Sequence, residues 1–256
     1  MAIVSQENIL SILTTFNPWW QNGVVPKAFV KEFHRSSYYT CRKSLLSDLR
    51  RIVVMSGARR TGKTTIMYQL IHDLLEQGVK PQNILFFTFD HPVIRMAGMD
   101  QILNIYKNNI SDDEHFYMFV DEVQFDKDWT NYLKMAYDMN PDMRSVATGS
   151  ASAAIEDDVR ESGAGRWTVI KVTTLSFYEY CALKGISKAQ SVDDVFRIHT
   201  LSKQQQTQLM MGLSDLQIHL MRYMQIGGFP ELVKTEDVPY AQKLIREDVM
   251  DRAIKH

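Results

Sequence analysis

The stretch that decides the fold is RRIVVMSGARRTGKTTIMYQLIHDLLEQG, which runs from Arg50 to Gly78. It begins with a short β-branched run and ends with a segment whose apolar residues recur at helical spacing. Between them, Ser56–Thr65 contains the pattern G-x-x-x-x-G-K-[ST]. A strand, a tight glycine-containing loop and a helix, in this order, form the context in which that pattern holds phosphate. The sequence therefore predicts a phosphate-binding loop.

The residue types of this loop suit close contact with a nucleotide. Gly57 and Gly62 lack a Cβ, so backbone N–H groups can approach a phosphate, and the helix that begins near Lys63 adds the positive end of its dipole. Lys63 is expected to reach the β- and γ-phosphates of ATP, and the Thr64 hydroxyl to bind Mg²⁺. The predicted nucleotide-binding residues are Gly57, Ala58, Arg59, Arg60, Thr61, Gly62, Lys63, Thr64 and Thr65.

The rest of the first two-thirds of the chain alternates strand and helix patterns. Helical patterns occur at Met99–Asn109 and Trp129–Met139. The strand patterns are mostly apolar on both faces, which is typical of a parallel sheet covered by helices on each side. An α/β fold with a five-stranded parallel sheet is predicted. Besides the strand before the loop, its strands are predicted within Asn83–Asp90, His115–Glu122, Arg144–Ser150 and Trp167–Val172.

Three regions are predicted along the chain. Residues 1–40 contain many aromatic side chains and are expected to form a lead-in that packs on the core. Residues 41–174 form the phosphate-binding core, and residues 175–256 form a helical lid. Ser176 and Glu179 offer a capping box for the first lid helix. Further helices are predicted at Val192–Ile198, Gln204–Met211, Leu216–Met224 and Pro239–Ile254, with Met210, Met211, Met221 and Met224 interpreted as helix core.

An acidic pair lies where the third predicted strand ends. Asp121 is suited to hold Mg²⁺, directly or through water, and Glu122 is suited to polarise an attacking water as general base. Kinases that phosphorylate small molecules avoid a water-activating carboxylate beside the γ-phosphate. The pair therefore favours hydrolysis of ATP over transfer to another substrate.

Three further positions are candidates for the chemistry. Ser150, or alternatively Thr148, ends the fourth strand and is expected beside Asp121, within hydrogen-bond reach of the γ-phosphate or the water. Arg166 is interpreted either as an arginine finger, in the same or a neighbouring subunit, or as a surface ion pair. The loop-tip pair Arg59-Arg60 is interpreted either as phosphate ligands or as solvated or interface charges.

Composition narrows the class of protein without selecting a partner. The formal net charge is −1, which gives no electrostatic argument for nucleic acid or membrane binding. Two cysteines are too few for a disulfide framework or a thiolate metal cage, and the histidines lack metal-ligand spacing. Trp19, Trp20 and Tyr38 are interpreted either as an adenine stack or as packing. No secretory signal or long apolar run is found, so a soluble cytoplasmic protein is predicted.

Several motifs together resemble one family, the bacterial and archaeal ATPases of the AAA superfamily catalogued as family fourteen of the AAA domains. The matching segments are NPWW, GARRTGKTT, ILFFTFD, VDEVQ followed by DW and LK, ATGSAS, GR followed by TLSFYEY, and GGFPELV. The resemblance spans nearly the whole chain. It implies Mg²⁺-dependent ATP binding and hydrolysis on an ASCE-type P-loop core with a helical lid. Lys63, Thr64, Asp121 and Glu122 then have the roles described above.

The same resemblance implies a further C-terminal region with a restriction-nuclease-like fold, whereas this sequence ends at DVMDRAIKH, so a truncated chain or a short family member is expected. The predicted function is an ATPase that acts as a switch or mechanochemical module on a protein partner or as a homo-oligomer. Two alternatives stay open: a slow-turnover module gated by bound nucleotide, and a motor associated with nucleic acid.

Overall fold

The computed structural model describes residues 5–150, 152–161, 165–186 and 198–247. The chain forms two compact units. The first runs to Ala58 and resumes from Gly62 to Val172, and the second comprises Arg59–Thr61 and the chain from Thr173 onward.

The first unit is built on a parallel sheet with the strand order β2-β3-β4-β1-β5. All residues of β1 and β3 are buried, because helices cover both faces of the sheet. This confirms the predicted α/β fold and its five-stranded parallel sheet. The strands are β1 Ile52–Ser56, β2 Ile84–Thr88, β3 Tyr117–Asp121, β4 Arg144–Gly149 and β5 Trp167–Lys171.

Helices connect these strands. Helix α5 begins at a proline and contains a kink at Gly98, whose φ of 72° and ψ of 165° are not helical. The sequence pattern therefore predicted only the part of α5 after this glycine. The connecting helices are α4 Lys63–Glu76, α5 Pro92–Asn109, α6 Trp129–Met139 and α7 Ser152–Glu161, with short 3₁₀ turns at Pro81–Asn83 and Val123–Phe125.

The first part of the N-terminal lead-in packs against the edge strand β2 of the sheet, and its third helix contacts β1 and β5. Its helices are α1 Gln6–Phe16, α2 Trp19–Asn22 and α3 Ser36–Leu45. The side chain of Asn17 donates to the Phe86 carbonyl at 2.7 Å and accepts from the Phe86 N–H at 2.6 Å. The indole N–H groups of Trp19 and Trp20 both donate to the Ile84 carbonyl, at 3.0 and 2.8 Å. The NPWW segment therefore pairs the backbone of the edge strand β2 through side chains.

The second unit is helical and has its own apolar core. Its helices are α8 Phe177–Lys184, α9 Lys203–Ile226 and α10 Val238–Ile245, with short 3₁₀ turns at Ile198–Thr200 and Pro230–Leu232. The capping box of Ser176 and Glu179 is confirmed. Its core is formed by Leu175, Tyr180, Cys181, Ile226, Phe229, Leu232, Val233 and Ala241.

Two helix predictions for this unit are confirmed, and one other prediction was wrong. The segments Gln204–Met211 and Leu216–Met224 are both helical and belong to one continuous helix, α9. The four methionines are not helix core, since their side chains are 55% to 70% exposed. The described part of α9 turns other side chains inward, namely Leu216, Tyr223 and Ile226.

Two predicted helices fall partly outside the described residues. Of Val192–Ile198, only Ile198 is described, and it begins the 3₁₀ turn. Helix α10 confirms the start of the prediction at Pro239–Ile254, whose last residues lie outside the described range. Within the described ranges, no helix has both the length and the apolar character needed to cross a bilayer.

Candidate functional site

The predicted phosphate-binding loop joins β1 to α4. The Gly57 N–H donates to the Gly149 carbonyl at 3.3 Å, which ties the start of the loop to the end of β4. Gly62 has a φ of 93°, a left-handed conformation that favours glycine, immediately before the first turn of α4. Lys63 is only 4% exposed, and its Nζ donates to the carbonyls of Gly57 and Ala58 at 2.8 Å each. The buried ammonium group thus holds both sides of the loop together.

The loop tip, Arg59–Thr61, groups with the second unit. Arg60 has a φ of 62°, which is unusual for a residue with a side chain. Within this unit, Arg60 Nη1 donates to Glu231 Oε1 at 2.6 Å, and both side chains remain partly exposed. Of the two interpretations of the loop-tip arginines, the structure shows an ion pair at Arg60.

Hydroxyl groups surround the first acidic residue. Thr64 Oγ1, in the first turn of α4, donates to Asp121 Oδ2 at 3.0 Å. On the other side, the fully buried Thr148 Oγ1 donates to Asp121 Oδ1 and accepts from the Glu122 N–H at 3.2 Å. The neighbouring positions of β3 and β4 in the sheet bring these groups together. The Asp121 carboxylate is thereby fixed against α4, the helix that begins at Lys63.

Burial dominates the electrostatics of this carboxylate. Loss of solvation raises the pKa of Asp121 to about 6. The hydrogen bond from Thr148 lowers this pKa, the nearby charge of Glu122 raises it, and Thr64 and Lys63 lower it. The site therefore carries a negative charge whose burial is not fully compensated by its own neighbours, as expected for a carboxylate that binds a cation.

The second acidic residue has an unusual backbone and a closed hydrogen-bond ring. Glu122 follows β3 with φ 55° and ψ 49°, in the left-handed region. Ser150 Oγ donates to Glu122 Oε1 and Oε2 at 2.9 and 2.7 Å. Gln124 Nε2 also donates to Glu122 Oε2, and Gln124 Oε1 accepts from the Ser150 N–H at 3.2 Å. Glu122, Gln124 and Ser150 thus form a ring at the ends of β3 and β4, which we call the Gln124 bridge.

The residues at the loop fit Mg²⁺ and a nucleotide phosphate. A hydroxyl and a carboxylate, from Thr64 and Asp121, are oxygen ligands of the kind that Mg²⁺ prefers, and they lie within 3.0 Å of one another. Lys63 supplies the cationic donor that a phosphate requires. When bound there, Mg²⁺ would offset the negative charge of phosphate oxygens. Among the described residues, no group of three or more histidine, cysteine, aspartate or glutamate side chains suits a different metal.

Arg166 lies far from these groups. Its carbonyl accepts from the Ile52 N–H, so it lies where β1 and β5 begin, whereas the phosphate loop and Asp121 lie where parallel strands end. The five residues of β5 separate the two edges by roughly 16 Å at about 3.3 Å per residue. Arg166 donates instead to Asp138 with two hydrogen bonds, at 3.0 and 3.2 Å. This position excludes a direct role in its own subunit, one of the sequence interpretations. A role in a neighbouring subunit and a surface ion pair stay as the two alternatives.

Other interpretations from the sequence are resolved by burial. Trp19, Trp20 and Tyr38 are at most 8% exposed and pack within the first unit, so they do not offer a surface for stacking adenine.

Sequence reasoning did not select Gln124. The signal that pointed to it was available: it lies two residues after Glu122, just past a strand end, where a short turn brings the two side chains to the same place.

A parallel sheet with the pattern G-x-x-x-x-G-K-[ST] in the loop after β1 and acidic residues at the end of β3 is typical of the P-loop nucleotide-binding class. The chain belongs to the AAA_14 family of AAA domains, P-loop ATPases of the AAA superfamily, since the family model matches residues 49–181. This match confirms the resemblance found in the motifs.

Relatives extend the comparison to longer proteins. An uncharacterized protein of Haemophilus influenzae is 28% identical over 193 residues, which cover 73% of this chain and 41% of the relative. An uncharacterized protein of Methanocaldococcus jannaschii is 23% identical over 209 residues, which cover 79% of this chain and 43% of the relative. The chain thus spans about two fifths of the length of these curated relatives.

Solved structures with similar folds include a Walker-type ATPase of Pyrococcus abyssi. It has a TM-score of 0.46 and 13% identity, and covers 87% of this chain and 70% of its own. The ORC1 protein of Aeropyrum pernix, solved in complex with DNA, has a TM-score of 0.46 and 12% identity, covering 66% of this chain and 51% of its own.

Proposed function

We propose that this chain binds Mg²⁺ and ATP at the loop between β1 and α4, hydrolyses the γ-phosphate bond, and uses the cycle as a switch or mechanochemical step. The observation that carries the proposal is a pair of side-chain hydrogen bonds at the carboxyl ends of the parallel strands. Thr64 contacts Asp121 at 3.0 Å, and Ser150 contacts Glu122 at 2.7 Å. These contacts support the assignment of Thr64 and Asp121 as a pair of cation ligands and of Glu122 as an oriented carboxylate base.

Each residue has a distinct task in this proposal. Lys63 binds the β- and γ-phosphates, and Thr64 and Asp121 hold Mg²⁺. Glu122 accepts a proton from the attacking water at one carboxylate oxygen, and Ser150 orients that carboxylate through its hydroxyl. Thr148 keeps Asp121 in place, because its hydroxyl bonds both that carboxylate and the Glu122 backbone.

The binding half of the proposal is tested with Lys63→Ala. Loss of the charged donor should weaken Mg·ATP binding by roughly 100-fold, since this factor corresponds to about 2.7 kcal/mol and charge-assisted hydrogen bonds contribute about 1.5–3 kcal/mol each. Titration with a fluorescent ATP analogue measures the affinity. Lys80→Ala, an exposed lysine beyond the end of α4, is the matched control and should bind as the wild type does. Unchanged affinity in Lys63→Ala would place nucleotide binding elsewhere.

The hydrolytic half is tested with Glu122→Gln, which keeps the size of the side chain and removes its basicity. Steady-state phosphate release should fall by roughly 10²- to 10⁴-fold, the usual contribution of a general base. Binding of Mg·ATP should be retained. Glu76→Gln, an exposed glutamate at the end of α4, is the control. Equal phosphate release by the wild type and Glu122→Gln would remove Glu122 from the chemistry.

One observation favours a second candidate, a slow-turnover module gated by bound nucleotide. Both carboxylate oxygens of Glu122 accept hydrogen bonds from the chain itself, from Ser150 and Gln124. In this candidate these contacts withhold the carboxylate from the attacking water, so ATP hydrolysis is slow unless they rearrange. Single-turnover and steady-state rates of the wild type separate the candidates: turnover near zero with tight ATP binding supports the gated module.

A further inference from the structure

The side chain of Gln124 connects the acidic residue Glu122 to Ser150 at the end of β4. Its amide has two ends with opposite roles, since Oε1 accepts from the Ser150 N–H at 3.2 Å while Nε2 donates to Glu122 Oε2. A backbone N–H can only donate, and this fixes which end of the amide faces Ser150. The other end is therefore an N–H donor directed at the Glu122 carboxylate.

The Gln124 amide passes close to the backbone at Gly149, where a side chain would crowd it. A Cβ built on Gly149 would lie 3.1 Å from Gln124 Oε1 and 2.5 Å from Ile155 Cδ1. The residue before Ser150 thus lacks a side chain where the Gln124 amide passes over the backbone. Because Gly149 also accepts from the Gly57 N–H at 3.3 Å, the same backbone segment contacts the phosphate loop.

The Glu122 backbone adds a reason for external support. Its left-handed φ of 55° is unfavourable for a residue with a Cβ and persists only where the surroundings hold it. The Glu122 N–H is held by Thr148 at 3.2 Å, and the carboxylate by Ser150 and Gln124. Ser150 contacts the carboxylate through its hydroxyl, and Gln124 links that carboxylate to the Ser150 N–H.

We propose that Gln124 is a positioning residue that holds the Glu122 carboxylate in register with the end of β4, so that the base faces the phosphate loop. This inference rests on the proposed function and adds to it the residue that orients the base. Gln124 contacts neither phosphate nor Mg²⁺ in this role. Its effect is on the rate of the chemical step and not on nucleotide affinity.

The test uses Gln124→Met, which keeps the length of the side chain and removes both hydrogen bonds. The kcat for ATP hydrolysis should fall by roughly 10- to 100-fold, the cost of a base displaced by about 1 Å, while KM changes less than about twofold. Gln77→Met, an exposed glutamine at the end of α4, is the control and should match the wild type.

A second measurement needs no activity. Amide hydrogen exchange of Ser150, measured by NMR on the protein without nucleotide, should be about fivefold faster or more in Gln124→Met, because a hydrogen bond of about 1 kcal/mol is lost. The Ala147 N–H, inside β4, should exchange as in the wild type. Faster exchange throughout the sheet would instead show general destabilisation and would overturn the local role.

A second variant of Gln124 distinguishes the roles of the two ends of its amide. Gln124→Glu keeps an acceptor for the Ser150 N–H but places a second carboxylate against Glu122, so kcat should fall at least as far as in Gln124→Met. A kcat equal to that of the wild type in either variant overturns the positioning role while the proposed function stands. A wild-type chain that binds but does not hydrolyse ATP overturns the proposed function and the positioning role together. The Ser150 exchange rate then still decides whether the Gln124 bridge exists.

Discussion

At the scale of single residues, the site is a set of polar groups whose burial is tolerated because each has a partner. Asp121 is 6% exposed and accepts from two threonine hydroxyls, one on α4 and one on β4. Burial nevertheless raises its pKa to about 6, so the hydrogen bonds do not replace the lost solvation. We therefore expect this carboxylate to lower the stability of the protein when Mg²⁺ is withheld.

Asp121→Asn tests that cost. Each unit of pKa shift corresponds to about 1.4 kcal/mol, so at pH 7.5 the neutral side chain should stabilise the protein without nucleotide by up to about 3 kcal/mol. Denaturant unfolding measures this gain. The same variant should lose the stabilisation that Mg·ATP gives the wild type, because a cation ligand has been removed. Equal or lower stability of Asp121→Asn without nucleotide would contradict the stated cost.

The pH dependence has a definite sign. The raised pKa means that folded Asp121 binds its proton more tightly than in the unfolded chain, so between about pH 4 and pH 6 its contribution makes the protein less stable as pH rises. The difference in unfolding free energy between Asp121→Asn and the wild type should therefore shrink as the pH is lowered through this window. Thr14→Ala, on helix α1 away from the site, should show a constant difference.

The sequence could predict the residues whose chemical type defines the site, but not the contacts that orient them. Lys63, Thr64 and Asp121 follow from a spacing pattern and from the position of strand ends. The left-handed backbone at Glu122 was not predictable, because no glycine marks it and the tertiary contacts maintain it. The partner of Gln124 was missed for the same reason, since its bond to Ser150 joins residues 26 positions apart.

At the scale of secondary-structure elements, the hydrophobic pattern predicted the strands, which are buried on both faces. It did not predict which face of the long helix α9 is covered. The strands of the sheet were predicted because buried parallel strands are continuous apolar runs. The methionines of α9 were misassigned because an apolar residue at helical spacing shows which residues share a face, but not whether another element covers that face. The NPWW segment gave no strand or helix signal, and its role became clear only from its contacts with β2.

Asn17 is the element-level test of that role. Its side chain is fully buried and bonds both the N–H and the carbonyl of Phe86 on the edge strand β2. Asn17→Ala should lower the unfolding free energy by roughly 2–4 kcal/mol, because two buried backbone groups lose their partner and each costs about 1–3 kcal/mol. Asn8→Ala, at an exposed position on α1, is the control. A loss below about 0.5 kcal/mol would show that the lead-in does not stabilise the edge.

At the scale of the whole molecule, the chain combines two units with separate apolar cores. The first unit contains the five-stranded sheet and the loop residues up to Ala58 and from Gly62 onward, whereas Arg59–Thr61 groups with the helical second unit.

Arg166 is the test of whether a second copy of the chain completes the site. In the structure its guanidinium is already paired with Asp138 through two hydrogen bonds, and it lies at the edge of the sheet opposite the phosphate loop. We expect Arg166→Ala to change kcat less than about twofold at every protein concentration. Arg166 lies away from the phosphate loop, and an exposed ion pair of this kind contributes little to the stability of the protein. Asp138→Ala is the matched variant and should behave in the same way.

The measurement combines phosphate release over a 100-fold range of protein concentration with sedimentation in the presence and absence of a non-hydrolysable ATP analogue. An arginine finger supplied by a neighbouring subunit contributes about 10³- to 10⁵-fold to turnover, so its loss could not be overlooked. If Arg166→Ala abolishes turnover only under conditions in which the chain associates, while Asp138→Ala does not, Arg166 acts across a subunit boundary and our expectation is wrong. Equal turnover of both variants and the wild type in every association state leaves Arg166 as half of a surface ion pair.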